Sequence, residues 1–290
     1  MNVADEFREG GSVSASCRFA SSLVTRSEVC SLSAVRRVVA MLDGEPERVQ
    51  AGMPLPRGWQ FILLGADTPR KALRSDGFPG LGVPLPDLGL PRLLLMGRTV
   101  GYLGDIPVGS ALERTSLILD IVEKEGAPGR MAVVTVGHKL VLAGEPLLLE
   151  TQTYALLGAE HAGSAKSPMT ENVRTHASVT QTVVPDETLL FQYSALGFNS
   201  HKIHLDRRYA QEVEGLPGLV VNGGLVTLLM TEFVSEALEL TPMQLKTRHL
   251  APLFCDRPVT LSAEKNAQVW DVRAFDDAGR LCATMEVKTQ

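Results

Sequence analysis

The sequence is short of cysteine, aromatic residues, net positive charge and long unbroken apolar runs. The four cysteines, Cys17, Cys30, Cys255 and Cys282, contain no CxxC pair and are too few in 290 residues for a disulfide framework. Free thiols in a reducing cytoplasm are therefore the expectation. With 28 Lys and Arg against 33 Asp and Glu, the net charge is −5, so no basic field is available to hold a nucleic-acid backbone. The longest uncharged apolar run, from Gly215 to Thr231, is broken by Pro217, Asn222 and further glycines, which argues against a membrane span. The opening Met-Asn-Val-Ala-Asp-Glu-Phe-Arg-Glu-Gly-Gly has acidic residues where a secretory signal has an apolar core. The expectation is a cytoplasmic protein with neither nucleic acid nor membrane as partner. What is present is ordinary for a globular chain: 44% hydrophobic and 21% charged residues. At roughly 150 residues per domain, the length suits two domains or one domain built twice.

The first periodic stretch runs from Ser27 to Leu42, with Val29, Leu32, Val35, Val38, Val39 and Leu42 at helical spacing, Ser27 as N-cap, and Gly44 and Pro46 as the stop. A proline-punctuated turn from Gly52 then leads into a short apolar strand ending at Leu64. Residues 65–92, rich in Gly, Pro and Asp, read as a long surface excursion. Four strands are expected over 93–103, 111–124, 130–143 and 147–157, separated by turn clusters such as Gly104-Asp105 and Gly144-Glu-Pro146. Residues 158–177 have almost no large apolar side chains and read as a linker. Beyond it come a strand at 188–196, a polar loop and a short helix near Asp206. A long apolar helix over 222–240 is followed by strands at 244–254, 258–264, 268–275 and 281–288. A helix lying across a curled antiparallel sheet is the simplest way to bury its apolar face. The expectation is α+β: a tandem hotdog with an N-terminal unit at 1–157, the linker at 158–177 and a C-terminal unit at 178–290. A pair of unrelated α+β domains is the alternative.

The chemistry-bearing residues gather between Phe191 and Asp206, where an apolar segment leads into a loop holding Asn199, His201 and His204. Two histidines three apart, with no third ligand nearby, do not make a metal site. Hydrogen-bonded histidines capping a loop are the plain structural alternative. A second element follows closely: Gly218-Leu-Val-Val-Asn-Gly-Gly-Leu brings a helix N-terminus with two adjacent glycines. Free backbone N–H groups there, with the helix dipole behind them, suit an oxygen that gains negative charge. Close packing of helix on sheet also explains such glycines. An imidazole base beside oxyanion donors fits proton transfer next to a carbonyl. No GxGxxG opens a helix after a strand, so no nicotinamide or flavin is expected, and no metal.

Tyr-Ser-Ala-Leu-x-Phe-Asn-x-His-x-Ile-His-x-Asp (193–206), followed by Glu-Gly-x-Pro-Gly-Leu-Val-Val-x-Gly (214–223), resembles the MaoC-like hydratase group. The likeness is greatest to the FAS1-like dehydratase branch that includes mesaconyl-CoA and itaconyl-CoA hydratases. Gly52-x-Pro-Leu-Pro-x-Gly-Trp59, the apolar strand before Gly97-Arg98, and Ala251-Pro-Leu-Phe254 add to it, so the resemblance covers most of the chain. The group's catalytic loop is similar to Asp-x-Asn-Pro-x-His. Aligned on the last histidine, the resemblance makes His204 the catalytic histidine, with Asn199 at the Asp position and His201 at the Asn position. It gives Gly223 the backbone N–H that polarises the thioester carbonyl. The amide at 199 departs from the general pattern, while the branch tends to read Phe-Asn-x-His-x-Ile-His. The first half has no such loop and is expected to be a degenerate copy that walls the acyl-CoA groove.

Asn199 cannot take a proton, so His204 must be the main base, with Asn199 and His201 holding the water or the imidazole. The implied activity is hydration of a short branched dicarboxylyl-CoA, itaconyl-CoA or mesaconyl-C4-CoA, to citramalyl-CoA. CoA enters as part of the substrate, and no separate cofactor is implied. The second carboxylate needs a cation or donors, for which Arg98, Lys202, Arg207 and Arg248 are candidates. Arg98 and Arg248 stand in apolar sequence surroundings, and Tyr193 and Asn222 complete the expected substrate contacts. Itaconyl-CoA with CoA on its CH2 side is not conjugated, so mesaconyl-C4-CoA is expected as substrate or intermediate. Two alternatives stand beside this reading. One is a general short-chain 3-hydroxyacyl-thioester dehydratase. The other is a non-catalytic acyl-CoA-binding protein, favoured by the missing acid at 199. A tandem hotdog pairs its sheets within one chain, so monomer and homodimer are both compatible.

Overall fold

The computed structural model describes Phe7 and residues 23–126, 129–158 and 179–289. The expected linker at 158–177 lies, beyond Gly158, outside the described residues. Among the described residues, ten strands form one antiparallel sheet: β1 (Val24–Val29), β2 (Arg92–Tyr102), β3 (Ala111–Gly126), β4 (Gly129–Leu142), β5 (Glu145–Leu157), β6 (Val179–Val183), β7 (Pro242–His249), β8 (Val259–Asn266), β9 (Val269–Phe275) and β10 (Leu281–Thr289). Their spatial order is β1-β3-β4-β5-β2-β7-β10-β9-β8-β6. Read outward from the centre, each half repeats the other, because β6, β8, β9, β10 and β7 stand where β1, β3, β4, β5 and β2 stand. The halves join where β2 meets β7, from Gly97 opposite Arg248 to Gly101 opposite Gln244.

Three α-helices are described. In the second half, α3 (Gly223–Ala237) packs against β7 to β10, and Leu225, Leu228, Phe233 and Val234 are among its many buried residues. Apolar side chains on nearly every face suit a helix enclosed by a curled sheet. The corresponding place in the first half holds only a 3-10 turn, Trp59–Leu63, where a short strand was expected. An apolar run of that length does not distinguish strand from helix by its period. The first periodic stretch also divides differently from expectation. Ser27 to Val29 belong to β1 and pair with Glu113 to Ala111 of β3. Helix α1 (Leu32–Met41) begins one turn later, with the Ser31 hydroxyl accepting the Ala34 N–H at 3.2 Å. Residues 188–196, expected as a strand, form helix α2 (Glu187–Leu196), capped by Asp186 through the Leu189 N–H at 2.7 Å. Its apolar residues include both buried Leu190 and exposed Phe191, which hid the helical period.

Residues 65–92 are not a surface excursion. Phe78, Leu81, Val83 and Leu90 pack with Leu93, Ile118, Val134, Val136 and Leu156 to form a second hydrophobic core on the first half of the sheet. Glycine and proline keep this segment irregular, so its apolar residues carry no period even though they are buried.

Candidate active site

A cleft of about 530 Å³ is lined by both halves. Arg98 and Tyr154 come from β2 and β5, Phe78 from the irregular segment, His201 and His204 from the loop after α2, Gly223 from the start of α3, and His249 from the end of β7.

The histidine loop is shaped by its own backbone and latched by the first half. The Asn199 N–H donates to the Ser194 carbonyl at 2.8 Å, and Asn199 Oδ1 accepts the His201 N–H at 3.1 Å. From the irregular segment, the Asp76 carbonyl accepts the Lys202 N–H at 2.8 Å and the Gly77 carbonyl accepts the Ser200 hydroxyl at 2.7 Å. Gly77 has φ +80°, and a Cβ there would stand 2.5 Å from the Ser200 carbonyl, so only glycine lets the two chains approach this closely.

His204 is buried, and its Nδ1 lies 2.8 Å from the Val220 carbonyl. A carbonyl only accepts, so Nδ1 carries the hydrogen and Nε2 keeps its lone pair. Burial, then the neighbouring His201, push the His204 pKa down to about 3, against the pull of the Val220 bond. The imidazole is therefore neutral at any working pH. His201 meets His204 edge to face at 5.3 Å between ring centroids. Its Nε2 is 3.7 Å from Asp76 Oδ2, and burial followed by the charge of Arg74 lowers its pKa to about 4. Asp76 is itself buried, accepting the Phe78 N–H at 2.9 Å and pairing with Arg74 at 3.3 Å.

Asn222 sits at the N-cap of α3 but does not cap it. Its amide donates instead to the Ser194 hydroxyl of α2 at 3.1 Å. The first N–H groups of the helix have no intrahelical acceptor, so Gly223 and Gly224 present theirs uncapped, at the positive end of the dipole. Space explains the second glycine: a Cβ on Gly224 would collide with the Tyr193 hydroxyl. Tyr193, stacked on Phe61 at 4.5 Å, is buried with its phenol pushed up to about 12 by desolvation. Arg98 is buried and holds Glu150 at 3.3 Å. Glu150, fully buried, also accepts from Gln60 at 2.8 Å and Gln152 at 2.7 Å.

The structure thus gathers Asn199, His201, His204, Tyr193, Asn222, Gly223 and Arg98 at one cleft. Two expected residues do not line it. Arg248 is exposed, because strand alternation turns Thr247 and His249 inward and Arg248 out. Lys202 turns away to donate from Nζ to the Ser75 carbonyl at 2.7 Å and lies over the Tyr209 ring. Arg207, also considered, is on the surface between Glu187 and Asp256. Sequence reasoning missed Asp76, Glu150 and His249. Nothing local marks the first two. Counting alternate positions along the expected 244–254 strand would have found His249.

A ten-stranded sheet doubled about β2 and β7, with a buried imidazole and an uncapped helix N-terminus lining one cleft, defines a double-hotdog acyl-thioester hydro-lyase. Residues 58–255 match the hydroxyacyl-thioester dehydratase type 2 (Htd2) family, and the chain belongs to it. It is 34% identical over 262 residues to the mesaconyl-C(4)-CoA hydratase of Chloroflexus aurantiacus, covering 90% of this chain and 93% of that one. It is 23% identical over 249 residues to the mitochondrial hydroxyacyl-thioester dehydratase type 2 of Schizosaccharomyces pombe, covering 77% and 82%. Among solved structures, HtdX of Mycobacterium tuberculosis superposes with a TM-score of 0.63 at 14% identity, over 92% of this chain and all of that one. A second M. tuberculosis protein, described as a double hotdog fold, gives 0.58 at 12% identity, over 92% and 94%. These two likenesses speak for the fold alone. The enzyme class displaces the reading of Asn199 as a mark of a non-catalytic protein. Among the described residues, no helix is long and apolar enough to cross a membrane.

Proposed function

We propose that the protein hydrates the conjugated double bond of mesaconyl-C4-CoA to citramalyl-CoA, with His204 as base and the start of α3 as the seat of the thioester oxygen. The observation that carries this reading is one cleft holding the free Nε2 of His204, an uncapped helix N-terminus and a buried arginine. The C. aurantiacus relative supports the substrate class.

In this reading, His204 Nε2 takes a proton from water as the water oxygen bonds to Cβ. The π electrons move toward the thioester, whose oxygen gains charge against the Gly223 N–H and the helix dipole. The same Nε2–H then returns the proton to Cα, so the sum is one water added. Asn199, with Oδ1 engaged by the loop, has its amide N–H groups free to hold the water oxygen without taking its proton. His201, backed by Asp76, fixes the His204 ring. Arg98 receives the second carboxylate, and Tyr193 and Asn222 shape the acyl site. Itaconyl-CoA reaches the same product after His204 moves a proton from Cα to the terminal carbon through a dienolate. No cofactor is needed beyond the CoA of the substrate. In this reading the described residues of the first unit, expected at 1–157, wall the groove, those of the second, expected at 178–290, carry the catalytic groups, and one chain suffices for the site. The buried free thiols of Cys30, Cys255 and Cys282 are consistent with a reducing cytoplasm.

Mass-spectrometric scoring of water addition to itaconyl-, mesaconyl-C4- and crotonyl-CoA tests the reading. Turnover of the dicarboxylyl thioesters with crotonyl-CoA untouched is expected, and His204→Ala should lower kcat by about 10²–10⁴-fold. A variant that keeps most of its activity removes His204 from the mechanism. The second reading, a dehydratase of ordinary short 3-hydroxyacyl thioesters, is favoured by the apolar lining from Leu95, Ile203 and Val226. Turnover of crotonyl-CoA alone would decide for it.

A further inference from the structure

His249 takes no part in the hydration chemistry above, yet it lines the same cleft. It lies beside the helix N-terminus, since a Cβ on Gly223 would be 3.4 Å from its Nε2. That nitrogen is buried with no hydrogen-bond partner among the described residues. Arg98 Nε, Asn222 Oδ1 and Thr247 Oγ1 share the same condition. The four residues adjoin: Thr247 is opposite Arg98 across the β2–β7 seam, His249 lies two residues further along β7, and Asn222 precedes Gly223. Buried polar atoms ordinarily find partners, so a concentration of unpaired ones, three of the four on residues that line the cleft, marks where a polar ligand group belongs.

Charge says which kind of group. Arg98 pairs with Glu150 at 3.3 Å, and its positive charge adds to burial in keeping His249 unprotonated. The Arg98–Glu150 pair sums to zero, so an anion arriving there needs a further donor, and the unpartnered Nε2 of a neutral His249 is one in the tautomer that carries its hydrogen there. Size agrees: in a C4 thioester the second carboxylate is three carbon–carbon bonds from the thioester carbon, roughly 4 Å away. A Cβ built on Gly224 would stand 3.2 Å from Arg98 Nη2 and one on Gly223 3.4 Å from His249 Nε2, so both side chains reach the helix start where the thioester would sit.

We propose that His249, paired with Arg98 across the acyl site, holds the second carboxylate and selects dicarboxylyl over monocarboxylyl thioesters. This rests on the dicarboxylyl reading above and adds to it the residue that decides specificity.

The test compares two saturated ligands that differ only in a carboxylate for a methyl: the C4-CoA thioester of methylsuccinate and isovaleryl-CoA. Calorimetric affinities are measured for the wild type, His249→Leu and His249→Gln, each checked for a native melting transition. The wild type should prefer the dicarboxylyl ligand. In His249→Leu that preference should shrink by about tenfold to a hundredfold, the worth of one hydrogen bond to a charged group. His249→Gln, which keeps an N–H near the same place, should recover much of it. A preference unchanged in His249→Leu overturns the proposal while leaving the dicarboxylyl reading standing. So does an equal loss of both ligands in both variants, which marks a structural role. A wild type with no preference overturns the dicarboxylyl reading itself. His249→Gln also serves if His249→Leu does not fold.

Discussion

A backbone carbonyl selects the tautomer of His204. Val220 accepts from Nδ1, and without that bond either nitrogen could carry the proton. Asn199 is the complementary case, because its two amide atoms have separate tasks. Oδ1 closes the loop on the His201 N–H, and the N–H groups are left for substrate or water. Two substitutions separate these tasks. Asn199→Asp keeps the acceptor, so its melting temperature should match the wild type. Asn199→Ala loses the bond and should be destabilised by about 1 kcal/mol. Both lose the donor, so kcat/KM on mesaconyl-C4-CoA should fall in both by tenfold or more. Full activity in Asn199→Asp would show that the amide donor plays no part.

At the scale of elements, the start of α3 is set by what crowds it. A Cβ on Gly223 would meet Leu95 at 3.2 Å and His249 at 3.4 Å, and one on Gly224 would meet Tyr193 and Arg98. Gly224→Ala should therefore destabilise the fold by about 1–3 kcal/mol, the usual cost of overpacking, and depress activity by shifting the helix N-terminus or Tyr193. Adding Tyr193→Phe removes the colliding hydroxyl and should restore part of the melting temperature, though the ring carbon at 3.1 Å keeps the repair incomplete. Additive losses in the double variant would contradict this account. The glycine-led helix start already reads in the sequence as a seat for a charged oxygen, and the resemblance singles out Gly223 within it. The requirement at 224 depends on α2, whose residues read as a strand because exposed Phe191 interrupts the helical stripe.

Across the whole molecule, the described histidines behave alike. Burial is the largest cause in holding the pKa of His138, His204 and His249 near about 3 and that of His201 near about 4. The unfolded chain binds protons on these rings below about 6.5, while the folded chain refuses them until about 4 or lower. As pH falls through that window the unfolded state gains protons the folded state does not, so stability declines. Glu232, raised to about 7 chiefly by burial, and Glu28, also raised, work in the opposite direction. Four groups outweigh two, so the melting temperature should be several degrees lower at pH 5 than at pH 7.5. A flat or rising trend toward pH 5 would show that these rings are not buried neutral.

Several properties followed from sequence alone because they depend on neighbours along the chain. The later strands, the helix over 222–240, the pairing of Asn199, His201 and His204 in one loop, and the glycine-led helix start are all local patterns. Their period and turn chemistry are written in consecutive residues. The choice between Arg248 and His249 is set locally by strand alternation too, yet the expectation fell on Arg248, which the structure turns outward. What only the tertiary structure decided are the partners: Asp76 behind His201, Glu150 behind Arg98, and the irregular 65–92 segment as a core and a latch rather than a surface loop. Those residues are brought against the cleft's His201 and Arg98 by the folding of distant segments and by glycine-permitted close approach. Burial, orientation and charge balance arise only when distant segments meet, so no period in the sequence encodes them.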